Sequence, residues 1–85
     1  MEKEIMIKST TGLHASLAAK VVHTASKYAV DIELHYGDKV VDLKSILGLM
    51  SLAIPYGTNV RIVAKGNRAE EAIKDVASIL GWYHE

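Results

Sequence analysis

His14 stands two residues after Gly12 and directly before a run of helix-forming residues. That placement sets an imidazole beside the backbone N–H groups of Ala15, Ser16 and Leu17, which the first turn of a helix leaves without intrahelical partners. A neutral imidazole nitrogen is a nucleophile, and amides at a helix start hold phosphate oxygens. The chemistry open to this position is attack on a phosphorus centre, followed by retention of the phosphoryl group. The plainer reading is a polar residue filling a turn, and the residues alone admit both. Ser45 has the same duality. As an N-cap it contributes about 1 kcal/mol to a short helix; as a phosphate acceptor it would place regulatory charge at that helix start. Just beyond it, Ile46, Leu47, Leu49, Met50 and Leu52 are too many apolar residues for the buried side of one short helix. They form either a buried connector or a patch for a partner.

The remaining histidines, His23, His35 and His84, add no second site. No two of the four histidines are three or four residues apart, so no helical metal-ligand spacing exists. With no cysteine there is no disulfide framework, thiol nucleophile or cysteine-ligated zinc. Neither a metal nor a cofactor is expected. Ten basic and ten acidic residues cancel, six of each in residues 1–45 and four of each in 46–85, so no basic face is expected and direct nucleic-acid binding is disfavoured. The N-terminus, Met1-Glu2-Lys3-Glu4-Ile5, is charged where a secretory signal needs an apolar run. The longest apolar stretch, 46–54, is about half of a membrane span. A cytoplasmic protein without membrane insertion is the expectation.

The elements that must position these residues follow from periodicity. The 85 residues (9.3 kDa) read as a single domain over 1–85 with no internal repeat. Residues 4–8 are strand-forming, and Ser9 to Gly12 break the strand. Leu17, Val21, Val22, Ala25 and Tyr28 repeat at helical spacing through 15–28, with Lys20, His23 and Lys27 on the wet side. Residues 30–36 alternate as a half-buried strand, Gly37-Asp38 turns the chain, and 39–43 returns as its partner with Val41 and Leu43 facing in. A short helix over 45–52 and a loop with Pro55 and Gly57 lead to a strand over 59–65. Asn67 is then expected to cap a last helix with Glu70 completing a capping box. Its apolar stripe runs from Ala69 through Val76 to Tyr83. The order β-α-β-β-α-β-α predicts an α+β fold, an open-faced β-sandwich with a four-stranded antiparallel sheet covered on one face by three helices. Tyr36, Tyr56, Trp82 and Tyr83 read as core-edge or surface packing.

Two segments together resemble a known family. Gly12-Leu13-His14-Ala15, followed by Leu43-Lys44-Ser45-Ile46-Leu47-Gly48-Leu49-Met50-Ser51-Leu52, is similar to HPr, the histidine phosphocarrier of the phosphoenolpyruvate-dependent sugar phosphotransferase system. Ala25-Ser26-Lys27-Tyr28 is similar to the end of the first helix in that family's Gram-positive branch. The resemblance implies that His14 accepts a phosphoryl group from enzyme I on Nδ1, the pros nitrogen, and passes it to a sugar-specific enzyme II A domain. It implies a covalent carrier rather than an enzyme with its own turnover. It further implies that Ser45 is modified by HPr kinase/phosphorylase, with a catabolite-control transcription factor as a further partner, and that Ile46, Leu47 and Met50 line the docking surface. Ser16 and Leu17 replace the arginine and proline of the family's loop. Loss of a charge-assisted contact of roughly 1.5–3 kcal/mol is expected to weaken transfer, with Lys20 as a partial electrostatic substitute. The alternative within the resemblance is a Crh-like regulatory paralogue that acts through phospho-Ser45, with little or no sugar-transport role.

Overall fold

The computed structural model describes residues 1–10 and 12–83, with Trp82 and Tyr83 described by backbone only. Eight elements follow one another: β1 (Glu2–Ile7), α1 (Ala15–Ala25), β2 (Asp31–Tyr36), β3 (Lys39–Asp42), α2 (Ile46–Ser51), β4 (Asn59–Lys65), α3 (Ala69–Leu80) and β5 (Gly81–Tyr83). The strands form one antiparallel sheet in the order β3-β2-β4-β1-β5.

Alternation sorts the two faces of the sheet. Ile5, Ile7, Ile32, Leu34, Val60, Ile62 and Ala64 point to one side and are buried beneath the helices. They meet Ala18, Val21 and Ala25 of α1 and Ala72, Ile73, Val76 and Leu80 of α3, each large side chain contributing about 1.5–3 kcal/mol. Small alanines on both long helices let them lie close to the sheet. The other face is polar: Arg61 stands between Glu4 and His35 in register. Its ion pair with Glu2 at 3.8 Å is exposed and contributes below about 1 kcal/mol.

The predicted elements are present, with three corrections. The first is a fifth strand. Residues 81–83, expected to continue the last helix with Tyr83 on its stripe, instead pair with Ile5, Met6 and Ile7. Gly81 is the cause: a Cβ there would lie 1.7 Å from the Met6 carbonyl oxygen, so only glycine lets the chain leave the helix and lie against β1. The second concerns the start of α3. Arg68, not Asn67, is the N-cap, at φ +65 and without a side-chain cap bond. A tight turn, closed by Ala69 N–H to the Gly66 carbonyl at 3.3 Å, places Asn67 outside the helix. The Arg68 guanidinium instead donates to Glu71 at 2.8 Å and lies 5.0 Å over the Tyr28 ring. Third, α1 ends at Ala25, and Lys27 and Tyr28 close a turn beyond it. Lys44 Nζ donates to the Tyr28 carbonyl at 2.9 Å, a cation placed where the helix exposes its last acceptors.

Tyr28 links α1 to α3: its hydroxyl donates to Asp75, and that bond foremost, with burial second, raises the phenol above its ordinary value. The phenolic proton is thus held more tightly in the folded chain. The stabilisation is whole below the ordinary phenol value of about 10 and is lost as pH rises through the folded one. Denaturant midpoints should therefore fall as alkali passes about pH 10, and Tyr28→Phe should flatten that alkaline slope. An equal slope in both chains would refute the link.

α2 ends in backbone strain. Ala53 follows its last turn at φ +49, a left-handed conformation that costs an L-residue about 1–2 kcal/mol. Glycine carries no such penalty but loses about 0.5–1 kcal/mol of entropy on folding. Ala53→Gly should raise the urea midpoint by an amount worth up to about 1 kcal/mol at unchanged m value. A lower midpoint would contradict the strain.

Candidate functional site

The loop before α1 is built on backbone contacts. Gly12 N–H donates to the Ser9 carbonyl at 2.9 Å, and Leu13 N–H donates to the Ile54 carbonyl at 2.9 Å. Gly12 is buried at φ +72, and a Cβ there would lie 2.5 Å from that same Ile54 oxygen. Leu13 plugs into the core. The next residue is therefore held at a fixed place by the buried chain before it, with its side chain free to face solvent.

That residue is His14. It is the N-cap of α1, with extended backbone (φ −94, ψ 174), and its carbonyl accepts from Ala18 N–H at 2.9 Å. The imidazole Nδ1 accepts from Leu17 N–H at 3.4 Å, a long bond that assigns Nδ1 as the nitrogen without a proton. Ala15 and Ser16 are exposed beside it, and the first turn holds no acidic side chain to compete for its amides. Leu17 N–H thus meets the ring, and Ala15 and Ser16 precede it in the same helical turn. Lys20 is exposed on the second turn of α1, about 9 Å up the axis and about 120° round it from His14, so the helix does not bring the two together.

Ser45 lies at the start of α2. Its backbone is extended, its Oγ accepts from Gly48 N–H at 3.1 Å, and its carbonyl accepts from Leu49 N–H at 3.1 Å. The hydroxyl hydrogen takes no part in that cap. A Cβ on Gly48 would come within 3.2 Å of Ser45 Oγ, so the bare glycine leaves the hydroxyl its place. Of the helix itself only Leu49 is buried. Ile46, Leu47 and Met50 are 44%, 84% and 39% exposed, which settles the patch as surface rather than buried connector. His23 is exposed on α1, and His35 is half-buried on the polar sheet face, 3.3 Å from Glu33. His84 lies outside the described residues. Two shallow depressions on the polar sheet face are lined by neither His14 nor Ser45. No helix among the described residues is long and apolar enough to cross a membrane.

Reading charge by chain halves concealed one feature. Residues 5–30 and 43–69 contain no aspartate or glutamate. These segments build the loop, α1, α2, the 52–58 connection and β4, with Lys8, Lys20, Lys27 and Lys44 among their cations, while the Asp42 carboxylate accepts from Lys44 N–H at 2.8 Å just before Ser45. Glu2, Glu4, Asp31, Glu33 and Asp42 belong to the sheet strands, exposed on or beside the polar face. Acid-free windows in the sequence were the available signal. One further residue escaped the sequence reading: Ile54, whose carbonyl anchors the loop.

The family description "PTS HPr component phosphorylation site" matches residues 1–81. Solved structures agree. HPr from Bacillus anthracis superposes with a TM-score of 0.90 at 36% identity, over 94% of this chain and 95% of that one. HPr from Thermoanaerobacter tengcongensis gives 0.89 at 44% identity, over 94% and 90%. Crh from Bacillus subtilis, solved as a swapped dimer, gives 0.76 at 39% identity, over 88% and 86%. An exposed histidine capping α1, a capping serine on α2 and an apolar patch beside them thus sit on a fold shared with these carriers, and the chain belongs to the HPr family of phosphotransferase-system phosphocarrier proteins.

Proposed function

We propose that His14 is the phosphoryl acceptor, taking the group from phospho-enzyme I, charged by phosphoenolpyruvate, and delivering it to a sugar-specific enzyme II A domain. The observation that carries this reading is the Nδ1 acceptor at the start of α1. In the transfer, the Nδ1 lone pair forms the N–P bond while the donor's bond to phosphorus breaks, and the proton on Nε2 stays in place. The phosphoryl oxygens then take over the Leu17 N–H and accept from Ser16 and Ala15 N–H, with Ser16 Oγ as a neutral donor. Forward delivery reverses these steps, so the chain is a relay whose turnover depends on its partners. Lys20 contributes at most long-range attraction from its position.

Ser45 is the regulatory site in this reading, modified by HPr kinase/phosphorylase, and phospho-Ser45 serves a catabolite-control transcription factor. Ile46, Leu47 and Met50 form the docking face for these proteins and for enzyme I. A dianionic phosphate placed at their edge would oppose an apolar contact.

Intact mass after incubation with phosphoenolpyruvate and enzyme I tests the carrier. One acid-labile phosphoryl group is expected on the chain and none on His14→Ala. No gain on the wild-type chain, together with an acid-stable phosphate on Ser45 from ATP and HPr kinase/phosphorylase, would move the protein to the regulatory reading. Ser45→Asp tests the docking face, because aspartate caps a helix as well as serine and changes chiefly the charge. Its affinity for enzyme I should fall about tenfold or more, equivalent to about 1.4 kcal/mol. Equal affinity would separate Ser45 from the docking surface.

A further inference from the structure

The three methionines stand in different surroundings. Met6 is half-buried in β1, with a strand paired on either side of it. Met1 is 62% exposed, beside the start of α3, where its ammonium donates to the Ala64 carbonyl at 3.1 Å. Met50 is 39% exposed on α2, four residues after Ile46 and three after Leu47, so helical spacing makes it the neighbour of both. Leu49 is the residue that α2 buries, and Ser45 Oγ caps the helix start through Gly48 N–H. Neither support involves the Met50 side chain, so chemistry at its sulfur changes the surface and leaves the helix in place. The turn that carries it is also weakly held: the Met50 carbonyl accepts from Ala53 N–H at 3.4 Å, a long bond into the strained residue.

We propose that Met50 is a site of oxidative modification, converted to the sulfoxide by hydrogen peroxide, and that this modification weakens the α2 face for its protein partners. The inference rests on the docking role proposed for Ile46, Leu47 and Met50. In the reaction a lone pair on Sδ attacks one peroxide oxygen, and the S–O bond forms as the O–O bond breaks. The hydroxide released takes the proton from the transferred oxygen and leaves as water. Sulfur gives up two electrons and the peroxide is reduced by two. A soft, apolar thioether thereby becomes a polar, chiral acceptor. Pressed into an apolar contact, its oxygen loses water without gaining a donor. Because Met50 neighbours both Ile46 and Leu47, that dipole falls inside the patch, whereas a phosphate on Ser45 adds charge at its edge. One face would then answer to two modifications of different chemistry, each reversed by a different enzyme class.

The test treats the full chain with hydrogen peroxide, removes the peroxide, locates the added oxygen by peptide mass, and compares affinity for enzyme I before and after. Met1 and Met50 should each gain one oxygen faster than Met6. Affinity should fall about tenfold and return after incubation with both methionine sulfoxide reductases, since each reduces one epimer. Met50→Leu keeps the volume and removes the thioether. Whatever affinity that variant starts from, peroxide should leave it there, although Met1 is still oxidised. A Met50 that stays reduced while Met1 is oxidised, a Met50 sulfoxide that binds enzyme I as tightly as the untreated chain, or an equal loss in peroxide-treated Met50→Leu would each overturn the proposal. An untreated chain with no affinity for enzyme I would instead remove the docking reading, and this inference with it.

Discussion

The Leu13 N–H to Ile54 carbonyl bond is the constraint on which the functional end depends. It joins the loop before α1 to the connection after α2, segments far apart in sequence, through two backbone atoms. Gly12 makes it possible by bringing the chain within a distance that no Cβ tolerates. The burial of Leu13 and Ile54 around it excludes water that would compete for the carbonyl. His14 is consequently positioned from behind, by main chain and core, and needs no side-chain contact to hold it. The imidazole can then be exposed and well placed together. The same anchor bears on the C-terminal end of α2, since Ile54 follows directly on the strained Ala53.

What was legible in the sequence followed the strength of the local signal. The alternation of 30–36 and of 59–65 is a long periodic pattern that the structure reproduces to within a residue, and the helical stripe from Leu17 to Tyr28 is helical only as far as Ala25. Ser45 as an N-cap needed only a hydroxyl before a helix. The failures have tertiary causes. Asn67 and Glu70 compose a sound capping box, but the Gly66–Ala69 turn displaced the start of α3, and Arg68 found Glu71 and Tyr28 instead. The apolar tail after Leu80 fits a helix as well as a strand, and only the vacant edge of β1 decides between them. Ile54 carries no chemical signature, because its part in the site is played by a carbonyl that every residue owns.

Of the lysines near the site, Lys8 is bonded to the Ser78 carbonyl and Lys44 to the Tyr28 carbonyl, each closing the end of a helix region. Lys20 is turned round the axis and Lys27 is beyond the end of α1. Ser16, in the first turn beside His14, brings a neutral hydroxyl and no charge.

A chain of this size covers one core and no more. Leaving His14 exposed, with three exposed apolar side chains on α2, opens surface that other copies could also bind. The remaining boundaries must then be closed by the fold itself. On the outer sheet face that is done with charge, where Arg61 lies between Glu4 and His35. At the β3 edge it is done with brevity, and at the β1 edge with three residues that depend on the glycine ending α3. Ile46, Leu47 and Met50 are the exposed large apolar side chains of α2, while Met1, Val40 and Tyr56 lie open elsewhere.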